Sequence, residues 1–219
     1  MAIRAVCFDV GETLVDETRQ WAGWADWLGI PHFTFFAALG AVIDRGEPHR
    51  RVFELFRPGI DLRAEWERRV AAGAAFGYSR DDLYPDVIPC LEALARAGYQ
   101  VVAAGNQPAR ASAWLEALGM PFDLIALPES LGAAKPARAF FTGLAARLGL
   151  PPGEIAYVGD RVDNDVVPAA DAGMVAIFLR RGPWGYLQAP RPGAARARLR
   201  IDDLATLPAA LRTLETSAS

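Results

Sequence analysis

Lysine is almost missing from this sequence. Of 23 basic residues, 22 are arginine and the single lysine is Lys135. Asparagine occurs only at Asn106 and Asn164, and histidine only at His32 and His49. In a chain that meets nearly every need for positive charge with arginine, these exceptions are either chance or positions that need those side chains, a compact ammonium in the case of Lys135. Cysteine is equally scarce. Cys7 lies inside the first apolar segment and Cys90 is its only possible partner, so a buried free thiol is expected and a disulfide framework is excluded. Neither sign of charge dominates: a net charge of −3 speaks against a dedicated nucleic-acid binder and supplies no basic face for a membrane surface. Long apolar runs are missing too. The most apolar stretch, Trp27 to Ile43, contains Pro31 and His32 and makes a poor membrane span. The first strand-like segment starts within a few residues of Met1, so no secretory leader is expected ahead of it. A cytoplasmic protein is expected, acting on neither nucleic acid nor membrane.

What is present is enough apolar material for a sizeable core: 52% of 219 residues are hydrophobic and 22% are charged. Ile3 to Asp9 reads as a short buried strand ending at a glycine-bearing turn. Then the pattern turns helical. Glu17 to Gly29 carries Trp21, Trp24 and Leu28 on one face, and Phe33 to Ile43, Arg50 to Phe56 and Asp61 to Phe76 follow as further helix candidates. Pro85 ends this region, and from there strands and helices alternate. Strands are expected over Gln100 to Ala104, Leu124 to Ala126, Ile155 to Val158 and Val175 to Leu179. Helices are expected over Asp86 to Ala97, Arg110 to Leu118, Ala137 to Leu148 and Val166 to Ala172, each followed by glycine. Ile201 to Leu214 supplies a last element, helical from about Pro208, and Gly182 to Arg198, rich in Pro, Gly, Ala and Arg, reads as a surface loop. Such alternation implies an α/β fold, a Rossmann-like doubly wound parallel sheet with helices on both faces. The expected division is a core of residues 1–15 and 84–219 and an all-helical insertion of residues 16–83.

In an open parallel sheet, ligands bind outside the carboxyl ends of the strands. The first strand ends in Asp9-Val10-Gly11-Glu12-Thr13, the second in Gly105-Asn106-Gln107, and the fourth in Gly159-Asp160-Arg161-Val162-Asp163-Asn164-Asp165. Lys135 follows the third strand, just before a helix. Each residue alone has a plain explanation: Asp165 as a helix N-cap, Asn106 as a turn residue, Lys135 as a solvated charge. Gathered at one rim they form a different pattern. Clustered carboxylates need a cation between them, and an oxygen-rich site with open positions suits Mg²⁺ shared with a phosphate. A carboxylate beside that metal can act as a nucleophile. Lys135 offsets the charge, and the backbone N–H groups of Gly105 to Gln107 can bind phosphate oxygens. This is equipment for phosphoryl transfer.

These motifs resemble those of the haloacid dehalogenase-like hydrolase superfamily along essentially the whole chain. Asp9 and Thr13 match its Asp-x-Asp-x-Thr, Asn106 follows the place of its Ser or Thr, Lys135 with Pro136 matches its lysine, and Gly159, Asp160 and Asp165 match its Gly-Asp-x-x-x-x-Asp. The resemblance implies that Asp9 is the nucleophile and a Mg²⁺ ligand with the Gly11 carbonyl and Asp160. It makes Asp165 a nearby ligand and Lys135 the holder of Asp9 and the phosphate. Gly105, Asn106, Gln107 and Thr13 are the expected phosphate-binding set. The helical insertion resembles the family's cap, which selects the substrate, here a small phosphorylated metabolite. Its aromatic residues, Trp21, Trp24, Trp27, Phe33, Phe35, Phe36 and Trp66, suit a small core, a homodimer contact or an apolar pocket.

Two positions depart from the pattern. Gly11 stands where the family's phosphatases carry the aspartate that protonates the leaving group, and Gly105 has lost a hydroxyl. Three outcomes are compatible with this: a hydrolase with a substitute acid, Glu12 being the candidate, or with a good leaving group; a different chemistry on the same fold; or a non-catalytic protein that keeps the metal and phosphate site. The dehalogenases and phosphonatases of the superfamily have Tyr or Ala at the position of Gly11, and neither is present. His32 and His49 are expected as surface or packing residues.

Overall fold

The computed structural model describes residues 2–216. Six parallel strands form one sheet: β1 Ala5–Phe8, β2 Gln100–Ala104, β3 Leu124–Ala126, β4 Ile155–Gly159, β5 Val175–Leu179 and β6 Leu199–Ile201. Their order is β3-β2-β1-β4-β5-β6, the doubly wound order in which the chain reverses direction beside β1. β1 pairs with β2 in register Cys7↔Val102 and with β4 in register Cys7↔Tyr157. All four β1 residues are fully buried, as expected of a central parallel strand covered on both faces. On one face Cys7, Val102, Ala104, Tyr157 and Phe178 pack with Phe140, Phe141 and Leu144 of the helix Arg138–Leu148. Phe141 meets Tyr157 edge-on at 5.2 Å between ring centroids. Cys7 and Cys90 are buried free thiols.

The expected surface loop from Gly182 to Arg198 is a correction. It holds a helix, Gly182–Gln188, a 3₁₀ turn, Pro192–Arg196, and the approach to β6. Pro183 occupies the first turn of that helix, where a missing N–H costs nothing. Trp184, Gln188 and Ala194 are buried, so a segment with the composition of a loop is part of the core. A short helix at Pro128–Leu131 was also not expected, and the expected helix from Asp61 to Phe76 stops at Ala71. The helix expected from Val166 starts instead as a wide π turn, Val162–Val166, and continues as Val167–Asp171.

The chain divides into two compact units. One contains the residues up to Asp16 and those from Tyr78 onward; the other is Glu17–Gly77. The return falls at 77/78 where 83/84 was expected, because the intervening segment bonds to the core unit: Asp16 N–H donates to the Asp82 carbonyl at 2.8 Å and Val15 bridges Leu83. The second unit has helices Thr18–Leu28, His32–Asp44, Arg51–Phe56 and Leu62–Ala71. Its aromatics pack on each other: Trp21, Phe35 and Phe53 are buried together, and Trp24 meets Phe53 at 4.9 Å. Buried Glu65 accepts bonds from the Trp27 indole at 2.9 Å, Arg57 at 3.0 Å and Arg68 at 2.9 Å. His32, expected as a surface or packing residue, is half-exposed and bonds Asp26 at 2.8 Å, while His49 packs edge-on against Trp21. Among the described residues no single helix is long and apolar enough to cross a membrane.

Candidate active site

Asp9 extends β1 by one residue, its N–H donating to the Val158 carbonyl at 2.9 Å. The chain then winds through a tight turn. Leu14 and Val15 N–H both donate to the Val10 carbonyl, at 2.9 and 3.0 Å, and Glu12 N–H donates to Val15 at 2.7 Å. None of these bonds uses the Gly11 carbonyl.

Lys135 arrives from the β3 side, and its side chain is fully buried. Its Nζ bonds Asp9 Oδ1 at 2.7 Å and Asp165 Oδ1 at 2.6 Å. The two scarce residue types meet here. Asn106 Nδ2 donates to the Lys135 carbonyl at 2.8 Å, and Asn106 Oδ1 accepts the Lys135 N–H at 2.8 Å. The Asn106 side chain therefore positions the lysine backbone, which leaves only its main chain for a phosphate. Gln107, also expected there, turns its amide to the Tyr78 hydroxyl at 3.2 Å. Thr13 is fully buried and donates to Asp160 Oδ1 at 3.3 Å, so its hydroxyl orients a carboxylate.

Asp160 ends β4 and is buried. Its other oxygen, Oδ2, has no hydrogen-bond partner among the described residues. An orphaned carboxylate oxygen is costly unless a further group meets it. Asp165 is not a helix N-cap. Its Oδ2 turns back to accept the Arg161 N–H at 3.0 Å. Gly159 makes the space for this, since a Cβ there would lie 2.3 Å from Asp165 Oδ2.

Asp9, Asp160 and Asp165 each offer an oxygen within 4.8 Å of the others. Burial pushes the Asp160 carboxyl well above its ordinary range, and Asp165, Asp9 and Glu12 push it further. Burial raises Asp165 as well, against the pull of Lys135. Burial works to neutralise Lys135, but Asp165 and Asp9 outweigh it and hold the ammonium charged. Three carboxylates facing one ammonium leave two negative charges when all are ionised, which matches a divalent cation bound through hard oxygens. The residues fit Mg²⁺.

The departure at Gly105 has a steric counterpart. A Cβ at this position would lie 2.8 Å from Asp9 Oδ1 and 3.1 Å from a Val10 methyl group. The Asp9 carboxylate, held by Lys135, leans into the space that a side chain would need. Lys135→Arg should be costly for a related reason: a planar guanidinium overfills the gap between two carboxylates. The expected loss is about 1–3 kcal/mol of stability, as for other overpacked sites, measured by urea denaturation. An unchanged midpoint would show that the lone lysine meets no special need.

Glu12 is buried and its Oε2 accepts the Tyr84 hydroxyl at 2.8 Å. Arg161 pairs with Asp163 at 2.8 Å and lies over the Trp184 ring. Gln188 Oε1 accepts the Val162 N–H at 2.7 Å and braces the turn after β4. Tyr84, Arg181 and Gln188 are the parts of this rim that sequence reasoning missed. The signal for Arg181 was available: it follows β5, and the carboxyl end of that strand deserved the same reading as the other four.

Comparison with known proteins places these features in context. The family model for hydrolases described as haloacid dehalogenase-like hydrolase matches residues 3–173. A glyceraldehyde 3-phosphate phosphatase from Methanopyrus kandleri is 33% identical over 203 residues, covering 83% of this chain and 86% of that protein. The crystal structure of a HAD phosphatase from Thermococcus onnurineus covers 95% of this chain and 98% of its own at TM-score 0.61 and 24% identity. An L-2-haloacid dehalogenase structure covers 96% of this chain and 100% of its own at TM-score 0.65 and 21% identity. The two structures share the fold.

Proposed function

The chain belongs to the haloacid dehalogenase-like hydrolase family, and from that premise we propose that it is a Mg²⁺-dependent phosphatase working through a phosphorylated Asp9. One observation carries this reading: Lys135 clamps Asp9 and Asp165 beside an Asp160 oxygen that has no hydrogen-bond partner among the described residues. The substrate class is a small phosphorylated metabolite, in keeping with the name of the Methanopyrus relative.

Asp9 Oδ1 is held by Lys135, which leaves Oδ2 to attack phosphorus. The new Asp9–phosphorus bond forms as the ester P–O bond breaks, and the departing alkoxide takes its proton from solvent water. Water then attacks the same phosphorus, releasing orthophosphate and restoring the carboxylate. Lys135 keeps Asp9 oriented and offsets charge on the phosphoryl oxygens. The N–H groups of Gly105 to Gln107 offer further donors to those oxygens. Mg²⁺ would be held by Asp9, Asp160 and the Gly11 carbonyl, and it supplies charge neutralisation of the transferring group. Asp165 serves behind them by fixing Lys135.

The raised Asp160 carboxyl has a measurable consequence. The metal-free protein retains a proton above the ordinary carboxylate range, and a bound cation must displace it. Mg²⁺ affinity should therefore fall as pH falls, with net proton release seen by calorimetry in buffers of different ionisation enthalpy. Asp160→Ala removes a proposed ligand and should weaken Mg²⁺ binding by more than the roughly ten-fold that loss of an outer partner costs. Equal affinity in wild type and variant would remove Asp160 from the metal site.

A further inference from the structure

Among the described residues, Glu12 is the one non-glycine with positive φ, at 55°. Holding a residue with a Cβ in the left-handed region costs about 1–2 kcal/mol. Something in the turn offsets that cost, and the side chain shows what. Glu12 is 5% exposed, and its carboxylate takes the Tyr84 hydroxyl on Oε2 at 2.8 Å. Against it lies Gly182, also left-handed at φ 62°. A Cβ on Gly182 would stand 2.3 Å from Glu12 Oε2 and 2.7 Å from Glu12 Cβ, so a larger residue would evict the carboxylate. Two unusual backbone conformations thus surround a single carboxylate.

The contacts continue outward from Tyr84. Tyr84 N–H donates to the Leu14 carbonyl at 3.1 Å, which ties its backbone to the same turn. The Arg181 guanidinium lies 4.2 Å from the Tyr84 ring centroid. Arg181 Nη1 donates to the Thr13 carbonyl at 3.0 Å, and Nη2 pairs with Asp86. Asp86 accepts the Leu204 N–H at 2.8 Å. Segments following β1, β5 and β6, and the one leading into the helix Val87–Arg96, are joined at this corner of the rim.

Resting on the phosphatase reading above, we infer that Glu12 is a positioning residue: with Tyr84 and Arg181 it locks the Gly11–Thr13 turn, which carries a proposed metal ligand at the Gly11 carbonyl and the Thr13 hydroxyl bonded to Asp160, and it does not carry the proton to the leaving group. The geometry separates the two roles. A proton carrier must reach the leaving oxygen beyond Asp9. Glu12 instead bonds Tyr84 and packs on Gly182, at the β5 end of the rim, whereas Asp9 faces Lys135, which arrives from the β3 end. The neighbouring Thr13 is held on both sides, its carbonyl by Arg181 and its hydroxyl by Asp160.

The test is Mg²⁺ calorimetry on Glu12→Ala, Glu12→Gln and Tyr84→Phe, with amide hydrogen exchange of residues 10–15 in the metal-free proteins. Tyr84→Phe removes one hydroxyl and keeps the Glu12 charge. It should weaken Mg²⁺ binding about ten-fold, as loss of an outer partner typically does, and Glu12→Ala should match it. The double variant should be no weaker than Glu12→Ala alone, because that change has already broken the Tyr84 contact. The Glu12 and Val15 amides should exchange faster in each. Glu12→Gln, which keeps an oxygen for Tyr84, should recover much of the affinity lost in Glu12→Ala. A silent Tyr84→Phe beside a weakened Glu12→Ala would mean that charge alone acts, and the positioning role would be overturned. So would a Glu12→Gln that loses alkyl-phosphate turnover while sparing aryl phosphates, since that is the signature of a proton carrier. A wild type with no Mg²⁺ affinity overturns the phosphatase reading and this one together; a wild type that binds Mg²⁺ and a Glu12→Ala that binds it equally overturn this one alone.

Discussion

Asp9→Asn should abolish turnover of every phosphate ester the wild type accepts, by at least about 10³-fold, the scale on which loss of a nucleophile is felt. The amide is nearly isosteric with the carboxylate but cannot form the acyl phosphate, because its oxygen is a poor nucleophile. The fold should be unharmed for a reason specific to this site. Asp9 is one of three clustered carboxylates, and Lys135 stays paired with Asp165 at 2.6 Å when Asp9 loses its charge. Removing one negative charge from a buried, over-negative cluster relieves repulsion. The metal-free Asp9→Asn variant should therefore melt no lower than the wild type. Loss of activity without loss of stability separates chemistry from folding. A second readout is the covalent intermediate: wild type quenched during turnover should gain the mass of one phosphoryl group on the peptide containing Asp9, and the variant should gain none. Turnover retained within ten-fold of wild type, in a preparation free of contaminating phosphatases, would place the nucleophile elsewhere.

The main residues of the candidate site were legible because they stand at strand ends. Asp9 and Asp160 each follow a buried apolar run, and a parallel sheet brings the carboxyl ends of such runs to one rim. Asp165 was legible as a residue of the site but not in its posture. The N–H it accepts belongs to Arg161, four residues earlier, and only the π turn brings the two together. The Asn106–Lys135 pair was visible only as two rare residue types; that they bond each other required the loop after β3 to fold back on β2. The Glu12–Tyr84 bond spans 72 residues and the Arg181–Thr13 bond 168, and no local pattern announces either. Tyr84 and Asp86 flank Pro85, which served in the sequence only as a boundary mark. The helix Gly182–Gln188 was hidden by composition: proline and glycine read as loop, while Trp184 and Gln188 were the buried residues that made it structural.

Gly11→Asp should raise turnover of alkyl phosphate monoesters by ten-fold or more, up to about the 10²–10⁴-fold contribution of a general acid. An alkoxide is a poor leaving group and needs a proton as the P–O bond breaks. Glycine supplies none, and Glu12 is engaged with Tyr84. Aryl and acyl phosphates leave without that help, so the wild type should favour them and the variant should gain far less on them. The backbone can take the change, since Gly11 is not among the residues with positive φ, unlike Glu12 at 55°. It is also half-buried rather than fully enclosed. The Gly11 carbonyl, a proposed Mg²⁺ ligand, is main chain and survives the substitution, so Mg²⁺ affinity should hold. The measurement is a pair of kcat/KM values, one for an alkyl and one for an aryl phosphate, on wild type and variant, with folding checked by circular dichroism. A folded variant with no gain on the alkyl ester would shift the deficit to Gly105, where Asp9 Oδ1 occupies the space a hydroxyl side chain would need. A wild type already as fast on alkyl as on aryl esters would mean that another group delivers the proton, and the positioning role assigned to Glu12 would be the first casualty.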